Sequence, residues 1–402
     1  MNILLICSAV PYPPNRGYAL RVYNLIKRGA GQHNYYLYIC PYEDADEDEI
    51  AYLKQMCKGV VVEKRPVFGT LEKLGLFLKY LIRGIPPDLG LYSTEQTPKK
   101  LAELIKGVPI DIVQVEDSYL GLYREYLPAN LHAKTVLVFH DLVYRQYERM
   151  YKLEKVWKRR LRYWLHACLM RRWEPSYSQN YDLSIVMSQE DQKLLQLANP
   201  RLKVEVVPNG VDTSLYQPMP FEEGKPAFVF VGNMNYNPNV DAVRYFVHEI
   251  LPEIRKKAGE VYFWIVGVNP RDSVMALAGD NVYVTGKVED VRPYYQRSQV
   301  CVVPLRAGGG TRLKILEAMA LGRPVVSTSI GCEGLEVTDG KNILIADDPS
   351  GFANKVIQVI NSKKMREYIS NNARQLVETQ YNWDVIAQKY LHLLASLTAR
   401  EY

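Results

Sequence analysis

No stretch of the sequence approaches the ~20 consecutive apolar residues that span a bilayer, so no membrane crossing is expected. The opening MNILLICSAVPYPP has neither a positive leader nor a long apolar core, and reads as a first strand rather than a signal peptide. The six cysteines (7, 40, 57, 168, 301 and 332) contain no CxxC pair and no metal-ligand spacing. Three of them lie in apolar runs, where cysteine behaves as a small hydrophobe, so a reduced cytoplasmic protein is expected. Nothing repeats, and no segment is of low complexity. Charge of one sign is also scarce. The net +6 suits an anionic ligand or membrane surface but reads as too weak and too dispersed for nucleic acid.

What is present is alternation of strand-like and helical segments. NILLICSAV, NYYLYIC, DIVQVE, TVLVFHD, LSIVMS and KVEVVPN are the strand candidates of the first half. AFVFVGN, VYFWIVGV, VYVTG, QVCVVPL, RPVVSTS and NILIA are those of the second. Continuous apolar runs, rather than strict alternation, indicate parallel strands covered on both faces. Strand-helix alternation then implies right-handed crossovers and an α/β fold of two doubly wound, Rossmann-like domains. The aperiodic VVPNGVDTSLYQPMPFEEGKPAF divides them near residue 210. The expected layout is a first domain over 1–209, a second over 210–380, and a final helix over 381–402 that packs back on the first.

The densest motif is AGGGTRLKILEAMALGRPVVST, residues 307–328. It follows the strand QVCVVPL, and in a doubly wound sheet ligands bind where such strands end. Gly308, Gly309 and Gly310 let the backbone approach a ligand closely, and the free N–H groups from Thr311 onward favour phosphate. Arg312 and Lys314 stand in the first turn, where a cation opposes the helix dipole unless an anion lies nearby. Glu317, one turn on, carries a carboxylate that can accept two hydroxyl hydrogen bonds, matching the vicinal diol of a ribose. Together these describe a nucleoside diphosphate site. The bland alternative is a Lys314–Glu317 surface ion pair worth tenths of a kcal/mol, for which LEAMAL leaves little solvated face.

GGGTRLKILEAMALGRPVVST resembles the donor-binding segment of the GT-B glycosyltransferases of family 4, also called glycosyltransferase group 1. The resemblance extends over nearly the whole chain, through VPNGVD, FVGNMNYNPN, EGLEV and NILIADDP. It implies two Rossmann-like domains facing across a cleft, a nucleotide diphosphate sugar donor on the second, and an acceptor on the first. It also implies retention of anomeric configuration. Fixed cations and helix-start N–H groups at the diphosphate make a metal ion unnecessary and no carboxylate cluster suggests one, so no cofactor is expected. By resemblance Glu317 binds the donor ribose, while Gly232 and Asn233 open the donor loop of the second domain. The family motif carries another glutamate eight positions earlier, where this chain has Gly309. The family also places Arg and Lys after the first strand of the second domain, and GNMNYNPN has neither. Arg312 and Lys314 are expected to supply that charge.

In the first domain, LVFHDL ends a strand with His140; on its own it reads as a structural residue or helix cap, and by resemblance it contacts the donor sugar across the cleft. PYPPNRGYALRVYNL resembles the loop that approaches sugar and acceptor. Gly17 there allows close approach, and Arg16 or Arg21 can meet an acceptor phosphate or simply stand in solvent. Residues 155–173, KVWKRRLRYWLHACLMRRW, interleave Arg, Lys and Trp with aliphatic residues. They read as a peripheral membrane contact or as an ordinary helix with a solvated basic face. The resulting expectation is a cytoplasmic bacterial glycosyltransferase of polysaccharide or glycoconjugate synthesis, acting on a glycan, lipid-linked or small-molecule acceptor. A nucleotide-sugar epimerase and an inactive, scaffolding relative are the alternatives.

Overall fold

The computed structural model describes residues 1–41, 45–65, 68–222, 224–308 and 310–399. It forms two compact units. One comprises Met1–Pro208 and the segment beginning at Ile386; the other is Asn209–Val385.

Unit 1 is built on seven strands: β1 (Asn2–Cys7), β2 (Asn34–Ile39), β3 (Gly59–Val62), β4 (Ile112–Glu116), β5 (Lys134–Phe139), β6 (Leu183–Val186) and β7 (Val204–Val206). They pair in the order β3-β2-β1-β4-β5-β6-β7, and every pair is parallel. The sequence reading anticipates all but β3. That strand is four residues long, lies at the sheet edge and is only half-buried, so its apolar signal is short and its flanks are polar. Central strands such as β1, buried from Ile3 to Cys7, read as unbroken apolar runs for that reason.

Unit 2 has six strands: β8 (Ala227–Val231), β9 (Tyr262–Val266), β10 (Val282–Val284), β11 (Val300–Val303), β12 (Val325–Ser327) and β13 (Leu344–Ile345). Their order is β10-β9-β8-β11-β12-β13, again all parallel. Both units therefore share the doubly wound architecture expected from the sequence.

The chain joins the two units twice. Val211 bridges to Asn382 in parallel, with Val211 N donating to Tyr381 O at 2.8 Å. The last helix, Trp383–Thr398, then returns to unit 1, where the buried Tyr390 hydroxyl lies 2.9 Å from Gln114 Oε1 on β4. Arg21, on the helix Gly17–Gly29, is fully buried and donates to the carbonyls of Val207 (2.8 Å) and Pro208 (3.0 Å). That corrects both readings of Arg21: it neither awaits a phosphate nor stands in solvent, but ties the end of unit 1 together.

The backbone comes close to itself in unit 2 where β8 and β9 end. Gly267 has φ +147, and a Cβ there would sit 1.8 Å from the carbonyl oxygen of Gly232. Gly267→Ala should therefore lower stability by ~3 kcal/mol, from overpacking together with backbone strain. Gly31→Ala, which meets nothing within 4 Å, should change it little. Urea midpoints that moved equally in the two variants would contradict this.

Candidate functional site

In unit 2 the winding direction reverses at β8 and β11: β9 and β10 follow on one side, β12 and β13 on the other. Loops leaving the ends of these two neighbours diverge and leave a crevice, the place where doubly wound sheets bind ligands. One bordering loop, 232–236, leads into the helix Asn237–Tyr245; the other, 304–312, leads into Leu313–Ala320. Gly232, Asn233, Gly308, Gly310, Thr311, Arg312, Lys314 and Glu317 all lie on these two loops or at the start of the second helix. The ninth unit 2 residue singled out in the sequence, Gly309, lies outside the described residues.

Lys314 joins the two sides. Its Nζ donates to Asn239 Oδ1 at 2.9 Å, and Asn239 Nδ2 in turn donates to Asn233 O at 3.0 Å. The ammonium also stands 3.8 Å from the ring centroid of the buried Phe230 on β8. Gly232 is required beneath it, because a Cβ there would be 2.7 Å from Asn239 Nδ2 and 3.0 Å from Lys314 Nζ. Burial, reinforced by the Arg312 charge, lowers the Lys314 ammonium to about 7. A cation this poorly solvated gains more than a surface lysine does when an anion arrives.

Arg312, also buried, donates from Nη1 to Gly310 O at 2.8 Å, and its Nη2 lies 3.1 Å from the Cβ position of Gly308. Gly308 (φ +119) and Gly310 (φ +72) both hold conformations that favour glycine, so the loop's composition follows from its path. Glu317 is raised above the ordinary carboxylate range, chiefly by burial. The Tyr295 hydroxyl lies 3.5 Å from its Oε2 and 3.2 Å from Lys314 O, and Tyr216 faces the same carboxylate. The surface ion pair is therefore not the arrangement found: Lys314 bonds Asn239, and Glu317 faces two phenols. A cation does reach the cation-poor loop, since Arg271, from the segment after β9, bonds Asn235 through Nε at 2.8 Å.

Unit 1 repeats the reversal at β1 and β4. Gly17 is exposed at the first turn of the helix that follows β1, and the ring of the adjacent Tyr18 packs 4.7 Å from that of His140 after β5. His140 Nε2 lies 3.0 Å from Glu116 Oε2, at the end of β4. Glu116 is buried, yet its carboxyl is held below the usual range, because His140, Arg21 and Gln114 Nε2 at 2.5 Å together outweigh the burial that pushes it up. The next residue, Asp117, has φ +151 and ψ 140, a conformation that costs a non-glycine residue ~1–3 kcal/mol. Its carboxylate accepts from Tyr119 N at 3.0 Å. Behind both loops the fully buried Glu174 accepts from Ser118 Oγ (3.0 Å), Val143 N (3.1 Å) and Tyr144 N (3.3 Å). Burial pushes Glu174 up to about 8.

Sequence reasoning found His140 but not its partners. Glu116 closes the run DIVQVE, and a charge ending a buried strand was the signal available; Asp117 and Glu174 carry no comparable signal. Among the described residues, no group of three or more His, Cys, Asp or Glu side chains could hold a metal ion.

Residues 16–215 match the family model described as Glycosyltransferase Family 4, and residues 225–362 match that described as Glycosyl transferases group 1. An uncharacterized 44.6 kDa protein of the cps region of Klebsiella pneumoniae is 21% identical over 95% of this chain and 96% of its own. The lipopolysaccharide core biosynthesis glycosyltransferase LpsE of Rhizobium meliloti is 30% identical over 37% of this chain and 46% of its own. Among solved structures, Anabaena HepE in complex with UDP and glucose superposes with a TM-score of 0.68 at 17% identity, covering 98% of this chain and 100% of that one.

The depressed Lys314 makes a measurable prediction. Between about pH 7 and its ordinary value of 10.5, the unfolded chain holds this proton while the folded one has released it. Ligand-free stability should therefore rise with pH across that window. Lys314→Met should flatten the slope and raise the melting temperature near pH 7 by at least ~2–4 °C, the shift given by 1 kcal/mol in a domain of this size. An unchanged slope in the variant would count against the buried cation.

Proposed function

The chain belongs to glycosyltransferase family 4, the group 1 transferases of GT-B fold, and on that premise we propose that unit 2 binds a nucleoside diphosphate sugar whose glycosyl group is passed to an acceptor engaged by unit 1. The observation that carries this reading is the convergence on one crevice of a glycine-rich helix start, the half-buried Lys314 and Glu317. The helix-start N–H groups and Lys314 take the diphosphate, and Glu317 takes the ribose diol in place of its phenolic neighbours. Lys314 and Arg312 stabilise the charge that develops on the leaving diphosphate. They do so without a metal ion. Anabaena HepE, solved with UDP and glucose, supports a donor of this class.

The acceptor is a glycan or a lipid-linked saccharide of cell-surface polysaccharide synthesis, and the reaction proceeds with retention at the inner face of the membrane. The lipopolysaccharide role in the name of LpsE supports that class of acceptor. Residues 155–173 provide the peripheral membrane contact. His140 serves the transferred sugar, and Glu116 acts as its positioning residue. By accepting from Nε2–H, the carboxylate fixes the tautomer and leaves Nδ1 unprotonated in the neutral ring.

Two measurements test these roles. A thermal-shift panel of UDP, GDP, ADP, TDP and CMP should show one nucleotide stabilising the wild type by ~2.7 kcal/mol at 100 times its dissociation constant, and failing to stabilise Glu317→Ala. No shift with any of them would remove the donor reading. A shift without sugar release from the matching labelled donor, in the presence of membrane extract, would favour a scaffolding protein. Glu116→Gln should lower kcat by roughly 10–100-fold, the worth of a charge-assisted hydrogen bond, with nucleotide affinity unchanged. Equal losses in kcat and affinity would instead indicate a folding role.

A further inference from the structure

Unit 1 concentrates its exposed apolar surface. Among the described residues, every large apolar side chain that it exposes, Leu197 excepted, lies on the helices Thr70–Ile82 and Trp157–Ser178 or at Val156 just before the second. On the first helix, Leu71, Leu74, Leu78 and Ile82 follow one another at helical spacing along a single stripe, with Leu71 84% and Ile82 85% exposed. On the second, Trp157, Leu161 and Trp164 do the same, with Trp157 68% exposed. Leucines left this open to water in a unit with a complete core of its own call for a partner.

Both helices rest on the same short turn, Pro87–Tyr92. Tyr80 of the first lies so close to Gly90 that a Cβ there would meet its ring at 2.1 Å. His166 of the second, buried, points Nδ1 at Asp88 Oδ2, 3.3 Å away. The turn therefore fixes the two stripes to one frame, and only the first turns of the longer helix stand clear of the core. Its later residues, Met170, Trp173 and Glu174, are buried.

Charge selects the partner. Residues 155–172 contain five arginines and two lysines and no acidic residue. Set against the chain's net +6, those seven cations leave everything else at −1. The charge that reads as dispersed in the sequence is thus concentrated on one helix. The first helix adds Lys73 and Lys79 beside its leucines. No helix among the described residues is long and apolar enough to cross a membrane, so this surface lies on its partner rather than through it.

We propose that the 70–82 helix and the first half of the 157–178 helix form one composite surface that docks on an anionic lipid bilayer. The leucines of the first helix enter the acyl boundary, the tryptophans of the second sit at headgroup level, and the arginines meet lipid phosphates. The proposal extends the contact through 155–173 by a second, independently exposed helix. It stands or falls without reference to sugar transfer, because its readout needs neither donor nor acceptor.

The test is sedimentation of the full-length protein with vesicles of phosphatidylcholine alone and of phosphatidylcholine mixed with the anionic phosphatidylglycerol. Binding to the anionic vesicles should be at least ~10-fold tighter and should weaken with salt, as screening requires. Two variants separate the halves: Leu71→Ser with Ile82→Ser, and Arg159→Glu with Arg162→Glu. Each pair should weaken anionic-vesicle binding by ~10-fold or more, while far-UV circular dichroism and melting temperature stay as in the wild type, since the substituted side chains are surface groups. Equal binding to both vesicle types, or none, overturns the proposal. Loss in the arginine pair alone also overturns it, because the 70–82 helix would then be no part of the surface.

Discussion

The hydrogen bond from Lys314 to Asn239 holds the unit 2 crevice in its present form. A half-buried ammonium must be satisfied, and here an amide oxygen and an aromatic face do so in place of a counter-ion. Satisfying it binds the loop after β8 to the helix after β11. That pairing in turn leaves no room for a side chain at Gly232, and the carbonyl of Gly232 leaves none at Gly267. The cation and its amide partner thus set the residue at 232, and the backbone of 232 sets the residue at 267. The neutral partners of Lys314 suit exchange: an amide contact yields to a phosphate at small cost, whereas an ion pair would compete with it.

Unit 1 uses the same topological device with charge of the opposite sign. At its reversal of winding the buried group is the carboxylate of Glu116, stabilised by Arg21 beneath and His140 beside it. Strain appears here as well, in the backbone of Asp117, and is held in place by the network around Glu174. In the proposed function each sign has its use: the basic site of unit 2 would neutralise a leaving diphosphate, and the acidic site of unit 1 would orient His140.

The fold was legible because buried parallel strands announce themselves as unbroken apolar runs, as β1, β8 and β11 do. β3 was not, being short, half-buried and bounded by lysine and glutamate. The candidate site residues of unit 2 were legible because glycines, cations and an acid fall within one local stretch, and local spacing is what a sequence displays. Asn239, Phe230 and Glu174 were not, since each acquires its meaning from a partner at least 30 residues away. Arg21 was misread for the same reason: its carbonyl partners are 186 and 187 residues distant. The apolar stripe of the 70–82 helix escaped because its composition fits a core helix, and only its exposure shows otherwise.

The path of the chain has a consequence for how such a protein can be altered. Unit 1 is completed by the segment that begins at Ile386, with Tyr390 reaching Gln114 on a central strand, while unit 2 is continuous from Asn209 to Val385. Topologically, unit 2 is therefore an insert within unit 1, entered and left through the paired segments at Val211 and Asn382. A fragment ending at Pro208 is an incomplete unit 1, missing the helix that reaches its central strand. Unit 2, by contrast, is bounded by two adjacent junctions, and cutting there leaves every crossover of the unit 1 sheet intact. Recombination at that doubled seam is the shortest route by which one unit changes while the other is kept.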